Sequence, residues 1–347
     1  MVFYIIVKKY QLNINSFYIH NSHKIHIETL PFAMRIFILI FFLYSSLASA
    51  QMLKAIKRAL SADEQREKFL MTKVDQLDQE SMSFVKKYFT SNFGLYAYKA
   101  NYLLPLSYSS KDYIYWDKDG INGNYEKQYE TEFQISLKKP VLFNLLGLHE
   151  TLTFAYTQRV WWQVYSDSSP FRETNYEPEF FVTFPTPKMF DKSYGLKGLR
   201  VGFVHESNGQ DGLQSRSWNR LYFASIWQHQ NIFTKFRIWY RIPEDKKKKP
   251  TDAHGDDNPN IEKYMGYGDI TLSHVLGKSH FTLLLRNNLR LRENKGAVRL
   301  SYSYPLAFSK DTFLYIKLFS GYGESLIDYD RYINKASIGF SFSRGLF

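Results

Sequence analysis

Beyond about residue 95 the chain falls into segments of roughly ten residues in which apolar and polar side chains alternate. No stretch there is apolar for the roughly 18 or more residues that a membrane-crossing helix needs. Alternation with period 2 sends the two kinds of side chain to opposite faces of a strand. In Thr131–Leu137, Phe133, Ile135 and Leu137 share one face while Glu132, Gln134 and Ser136 share the other, and Ala297–Tyr304 repeats this with Val298, Leu300, Tyr302 and Tyr304. Twelve such segments begin near Tyr96, Tyr129, Thr151, Asn175, Leu199, Trp218, Phe233, Lys263, Phe281, Ala297, Phe313 and Lys335. An even count of two-faced strands suits a closed antiparallel β-barrel that spans a membrane, leaves no edge unpaired and lines its lumen with the polar face.

The connections fit the same fold. Those after odd-numbered segments are long and polar (Ser109–Asn124, Ser166–Glu173, Glu244–Asn260, Gly323–Asn334), and the others are mostly shorter. In membrane barrels the long loops face outward, so odd strands should run outward. Terminal Phe347 suits a final barrel strand, but Ile338, Phe340 and Phe342 fall in the opposite phase, which implies a bulge or register change near Arg344. The alternative fold for such a pattern is a soluble β-sandwich.

Ahead of the barrel, Met34-Arg35, the apolar run Ile36–Leu47 and Ala48-Ser49-Ala50-Gln51 form a charged start, a hydrophobic region and an A-x-A cleavage site. The expectation is a signal peptide over residues 34–50, a mis-assigned start over residues 1–33, a polar and partly helical extension over residues 51–94, and the barrel over residues 95–347. The 27 Tyr and 29 Phe suit an all-β chain, and the absence of Cys excludes cysteine-based metal or redox chemistry. The net charge of +12 is scattered and accompanied by no nucleic-acid motif, so nucleic acid is not an expected partner.

One phase of the fifth segment reads Leu199, Val201, Phe203, His205, Ser207, so a histidine and a serine continue a row that otherwise faces lipid. Asn219 shares its phase with Leu221 and Phe223 on the sixth segment and comes level with His205 across the loop. Polar groups on a lipid face are costly and usually mark function. The three identities fit nucleophilic catalysis, with Ser207 attacking, His205 moving the proton and the Asn219 amide oxygen holding the other imidazole N–H. A lone His or Ser in such a place is more often a locally hydrogen-bonded loop residue; the convergence of three is what argues for chemistry.

The run His205-Glu206-Ser207-Asn208-Gly209, followed by Ser215-Arg216-Ser217-Trp218-Asn219-Arg220-Leu221-Tyr222, resembles the outer-membrane phospholipase A family of Gram-negative bacteria. Residues 168–178 (SSPFRETNYEP), 263–267 (KYMGY) and 321–329 (GYGESLIDY) extend the likeness over about Leu95 to Phe347. The resemblance implies a twelve-stranded outer-membrane barrel that hydrolyses sn-1 and sn-2 acyl chains of phospholipids and lysophospholipids as a calcium-loaded homodimer. By position it makes Ser207 the nucleophile, His205 the base and Asn219 the orienting residue. It assigns Ca²⁺ to the Ser215 hydroxyl, the Gln210 carbonyl and a carbonyl of Ser168 of the partner subunit, oxygen ligands of the kind a hard cation takes. Gln210 stands where the family often has arginine, a change that a carbonyl ligand tolerates. The resemblance also sets Gln158, the one amide in the row Leu152, Phe154, Tyr156, Gln158, Val160, Trp162, in the subunit contact. Asp211, Asp256 and Asp257 are candidates for a second ion site or simply solvated loop acids. Lys246–Lys249 reads as a solvated external loop, with lipid A phosphates as a weaker alternative partner. The competing functions are a non-catalytic porin or adhesin that keeps the family fold, and a soluble esterase, which the signal and the alternating segments oppose.

Overall fold

The computed structural model describes residues 17–19, 23–25, 51–55, 57–58, 63–89, 94–117, 120–167, 169–252, 254–309 and 311–346. Most of residues 1–50, with the expected signal peptide and the expected mis-assigned start, lies outside the described residues, as do Ser168 and Phe347. The chain forms two compact units, Met1–Arg58 and Ala59–Phe347. In the first, Phe17–Ile19 pairs antiparallel with His23–Ile25.

The second unit is a closed antiparallel barrel. Its strands are β1 (Asn101–Ser109), β2 (Tyr129–Phe143), β3 (Thr151–Trp162), β4 (Phe171–Pro185), β5 (Leu196–Ser207), β6 (Ser217–His229), β7 (Ile232–Ile242), β8 (Gly268–Leu276), β9 (Ser279–Asn287), β10 (Gly296–Pro305), β11 (Phe313–Gly321) and β12 (Ile333–Ser343). Each pairs with its sequence neighbours, and β12 pairs with β1 to close the ring. Strands of 9 to 15 residues are long enough to cross a bilayer when tilted. The short strand Tyr96–Ala97 adds to one end of β2, and the hairpin Tyr113–Asp117 with Gly120–Glu126 lies in the β1–β2 loop.

Alternation decides which face goes where. Glu130, Glu132, Gln134 and Ser136 are buried in the lumen, while Ile135, Leu137, Val201, Phe203, Leu221 and Phe223 are exposed on the outside. An exposed apolar belt around a polar interior is the reverse of a water-soluble protein and is what lipid requires. Among the described residues no helix is long and apolar enough to cross a membrane. The lumen is filled rather than open. Lys335, fully buried, sits 2.6 Å from Glu130, 3.1 Å from Glu132 and 3.0 Å from Glu324, and Lys317 and Arg172 pair with the same acids. Charges this deep persist because each has opposite partners within hydrogen-bond reach.

Two helices from the expected extension, α1 (Asp63–Met71) and α2 (Gln79–Phe89), belong to the barrel's own compact unit. Asp78 caps α2, its carboxylate accepting from the Glu80 and Ser81 amides at 3.1 and 3.0 Å. Phe84, Val85 and Tyr88 form the buried stripe of α2 and pack on Phe233, Val275 and Leu346. The extension is tied to the short-turn end: Lys73 Nζ donates to the Thr186 carbonyl at 2.8 Å, the Asp75 amide donates to Gln228 at 3.0 Å, and the Gly277 amide donates to Ser81 Oγ at 3.1 Å.

Three details differ from the periodicity. The first barrel strand starts at Asn101 rather than Tyr96, and the fourth at Phe171 rather than Asn175. The eighth starts at Gly268, because Ile261–Met265 is helical: Ile261, Tyr264 and Met265 follow the 3.6-residue period, and Gly266, at φ +67°, ends the turn. The last strand keeps Phe340 and Phe342 outward and takes up its register changes against β1 at Ile338/Phe340 and Ser341/Ser343.

Candidate active site

β5 carries Val201, Phe203, His205 and Ser207 along its outer face, with Gly202, Val204 and Glu206 turned into the barrel. β6 pairs with it in a register that sets Phe203 opposite Leu221, His205 opposite Asn219 and Ser207 opposite Ser217. Directly opposite residues on one face bring their side chains within contact. The His205 Nδ1–H donates to Asn219 Oδ1 at 2.8 Å, and Asn219 Nδ2 in turn donates to Glu244 Oε1 at 3.1 Å. Ser207 lies two residues beyond His205 on the same row, half-buried, and its hydroxyl has no hydrogen-bond partner among the described residues. The second ring nitrogen of His205 and the Ser207 hydroxyl form no hydrogen bond with each other among the described residues.

The inner face stiffens this constellation. Glu206 accepts from Trp218 Nε1 at 2.9 Å and from Arg220 at 2.8 Å, so the two strands are bonded on both faces at the level of the site. Beyond Ser207 the chain turns at Gly209, whose φ of +66° and tight approach to the Tyr176 ring favour glycine. Asn208, buried, organises the loop: its Nδ2 donates to the Gln214 carbonyl at 2.8 Å and its Oδ1 accepts from the Arg216 amide at 2.9 Å.

This loop brings oxygen atoms together. Ser215 Oγ and Ser217 Oγ both donate to Asp257 Oδ2, at 2.8 and 3.1 Å, and the Asn258 side chain accepts from the Ser217 amide at 3.1 Å. Asp257 also pairs with Lys247, and Asp256 with Arg241. A hydroxyl and a carboxylate are the donor types a hard cation takes, so the Ser215 neighbourhood fits calcium. Asp211 is exposed, and among the described residues no group of three or more His, Cys, Asp or Glu gathers as a metal cluster. Gln210 is exposed in the same loop. Gln158 faces outward on β3, and its Oε1 accepts from the Tyr156 hydroxyl at 3.1 Å.

The sequence profile of phospholipase A1 matches residues 79–342. The chain belongs to the phospholipase A1 family. Phospholipase A1 of Escherichia coli is 36% identical over 254 residues, covering 71% of this chain and 80% of that protein. The solved outer membrane phospholipase A of Escherichia coli superposes with a TM-score of 0.63 at 34% identity, over 76% of this chain and 98% of that one. The Salmonella typhi outer membrane phospholipase, described as a dimer with bound calcium, gives 0.64 at 33% identity over 77% and 99%.

This member of the phospholipase A1 family is therefore a phospholipase, and its barrel is a bacterial outer-membrane barrel. In it His205 and Asn219 are hydrogen-bonded across the β5–β6 pair, and Ser207 continues the same outer row two residues beyond His205. The acid behind Asn219 is not legible from phase, because Glu244 follows the end of β7 in a loop; the register Asn219 to Ile242 is what carries that loop to the amide. Asp257 reaches Ser215 from the same long loop, 42 residues away in the chain.

Proposed function

We propose that this phospholipase hydrolyses acyl esters of phospholipids and lysophospholipids in the outer leaflet, with Ser207 as nucleophile, His205 as base, Asn219 as orienting residue and calcium as activator of a homodimer. The observation that carries the reading is the His205–Asn219 hydrogen bond of 2.8 Å on the lipid-facing row that Ser207 continues. A soluble protein has no use for a nucleophile at that height of a hydrocarbon-facing wall, whereas an ester of a membrane lipid is delivered there by the bilayer itself.

Ser207 Oγ attacks the acyl carbonyl carbon while His205 Nε2 takes its proton. The Asn219 oxygen holds the Nδ1–H and so leaves the Nε2 lone pair to take the serine proton. In this reading the Ser207 backbone N–H would stabilise the oxygen on which negative charge develops. Collapse of the tetrahedral adduct expels the alcohol, which takes the proton back from His205, and water then releases the fatty acid by the same two proton transfers. A neutral amide supports the imidazolium less than an aspartate, yet it is less costly beside lipid. Ca²⁺, when bound, supplies positive charge that draws electron density from the ester carbonyl. The residues that would hold it are Ser215 and Gln210, with Ser168 of the partner subunit, and Gln158 would lie in the subunit contact.

Release of fatty acid from phospholipid micelles by the refolded chain, with calcium and with chelator, tests the whole reading. Calcium-independent release, or none under either condition, would sink it. A ligand contributed across the dimer links ion and assembly, so an ion that binds only the pair stabilises the pair. Chelation should shift the protein to monomers in sedimentation velocity experiments, and Gln158→Leu should do so even with calcium present, without touching the catalytic groups. A fully active monomer is the result that excludes this control. Ser215→Ala, which deletes a hydroxyl ligand, should raise the calcium needed for half-maximal activity by roughly 10-fold or more, read from activity against free calcium.

A further inference from the structure

Asn219 is bonded at both ends of its amide. Its oxygen accepts from His205 Nδ1 at 2.8 Å, and its Nδ2 donates to Glu244 Oε1 at 3.1 Å. The two ends of a primary amide have nearly the same shape, so nothing in Asn219 alone decides which end faces the histidine. The choice matters chemically. With the NH₂ end toward His205, Nδ1 would have to accept, the ring proton would sit on Nε2, and that nitrogen would have no lone pair for the serine proton.

An ionised carboxylate accepts hydrogen bonds and donates none. Placed beside one end of the amide, it demands the NH₂ there and leaves the oxygen for His205. The reverse orientation would set the amide oxygen against a carboxylate oxygen with no proton between them. The chain around Glu244 holds it in reach of the amide, because it follows Pro243, whose ring restricts the backbone, directly after β7, and β7 ends with Ile242 opposite Asn219. Glu244 is partly buried and, among the described residues, takes part in no salt bridge, so its carboxylate is not already committed to a cation. The carboxylate also returns a negative charge to the array, one hydrogen bond removed from the neutral amide.

We propose that Glu244 is a positioning residue for catalysis, one that fixes the amide orientation of Asn219 and through it the tautomer of His205; this rests on the reading of Ser207, His205 and Asn219 as the catalytic set. Such a role differs from that of a loop anchor. The loop that carries Glu244 also carries Asp257, which contacts Ser215, so a general loosening of that loop would change the calcium requirement as well.

The test is a double-mutant cycle on the refolded full chain across a calcium titration up to saturation, with fatty-acid release as the readout and heat-modifiable mobility in detergent gels as the check on folding. Glu244→Ala should lower kcat about tenfold, with KM and the calcium needed for half-maximal activity unchanged. Glu244→Gln can accept or donate, which leaves both amide orientations of Asn219 satisfiable, so it should lose only about two- to threefold. In an Asn219→Ala background, where there is no amide to orient, Glu244→Ala should have no further effect. Full activity in Glu244→Ala, the same tenfold loss in the Asn219→Ala background, or a Gln variant as impaired as the Ala variant would each overturn the proposal. Wild-type activity in Asn219→Ala alone would instead overturn the catalytic assignment on which it rests, and that outcome is distinguishable because it does not involve Glu244.

Discussion

Replacing Ser207 with alanine is expected to cut acyl-ester hydrolysis by roughly 10⁴- to 10⁶-fold while leaving the barrel folded. The side chain projects from the outer face of β5 and has no hydrogen-bond partner among the described residues, so its oxygen carries no structural load. Ser217 lies opposite, but its hydroxyl is committed to Asp257 at 3.1 Å and it has no histidine behind it, so it cannot substitute. Asn219→Ala should be milder, roughly 10- to 100-fold, since nucleophile and base both remain and only the hold on the imidazole is lost. Initial rates of fatty-acid release for the two variants, each checked for native mobility, decide the order. Substantial turnover by folded Ser207→Ala would remove the nucleophile assignment, and an Asn219→Ala rate equal to wild type would move the third role elsewhere.

The largest expected effect on stability lies inside the barrel. Lys335 projects into the lumen from β12 and is fully buried against Glu130, Glu132 and Glu324. Its ammonium is the common counter-charge of three carboxylates that themselves have almost no access to water. Lys335→Met keeps the length and most of the volume of the side chain but removes that charge, and breaking a buried ion network by deleting one partner destabilises by roughly 3–5 kcal/mol. The denaturant midpoint in detergent micelles should fall accordingly, with the slope unchanged. Adding Glu324→Gln in the Lys335→Met background should recover part of the loss, because it removes one negative charge and leaves Arg172 and Lys317 to balance Glu130 and Glu132. A midpoint indistinguishable from wild type would mean that lumenal water already compensates these groups. Since Lys335 lies remote from His205 in the register, activity per folded molecule should not change.

How much of this is legible in the sequence follows from the range over which each force acts. Side-chain direction in a strand is set by one bond, so the alternation in residues 131–137 already separates the lumen-facing Glu132, Gln134 and Ser136 from the lipid-facing Phe133, Ile135 and Leu137. The same local rule places His205 and Ser207 on one row, and a short connection of nine residues leaves little choice but to bring Asn219 alongside. Boundaries are less secure, because a run as short as Ile261–Met265 holds too few apolar residues to separate period 2 from period 3.6; helix formation there was decided by Gly266 and by the burial available to Ile261 and Met265.

The chain by itself thus determined the barrel, the face on which the polar residues interrupt the apolar belt, and the pair His205 and Ser207, because each depends on neighbours one to a few residues apart. Only the tertiary structure decided that Glu244 backs Asn219, that Asp257 meets Ser215, that Lys335 neutralises Glu130 from 205 residues away, and that α2 closes on Phe233 and Val275. These contacts join long loops or strands distant in the chain, and no local preference of φ, ψ or hydrophobic period encodes them. They follow from closure, which fixes the register of every strand at once and so fixes which loop ends and which lumenal charges come face to face.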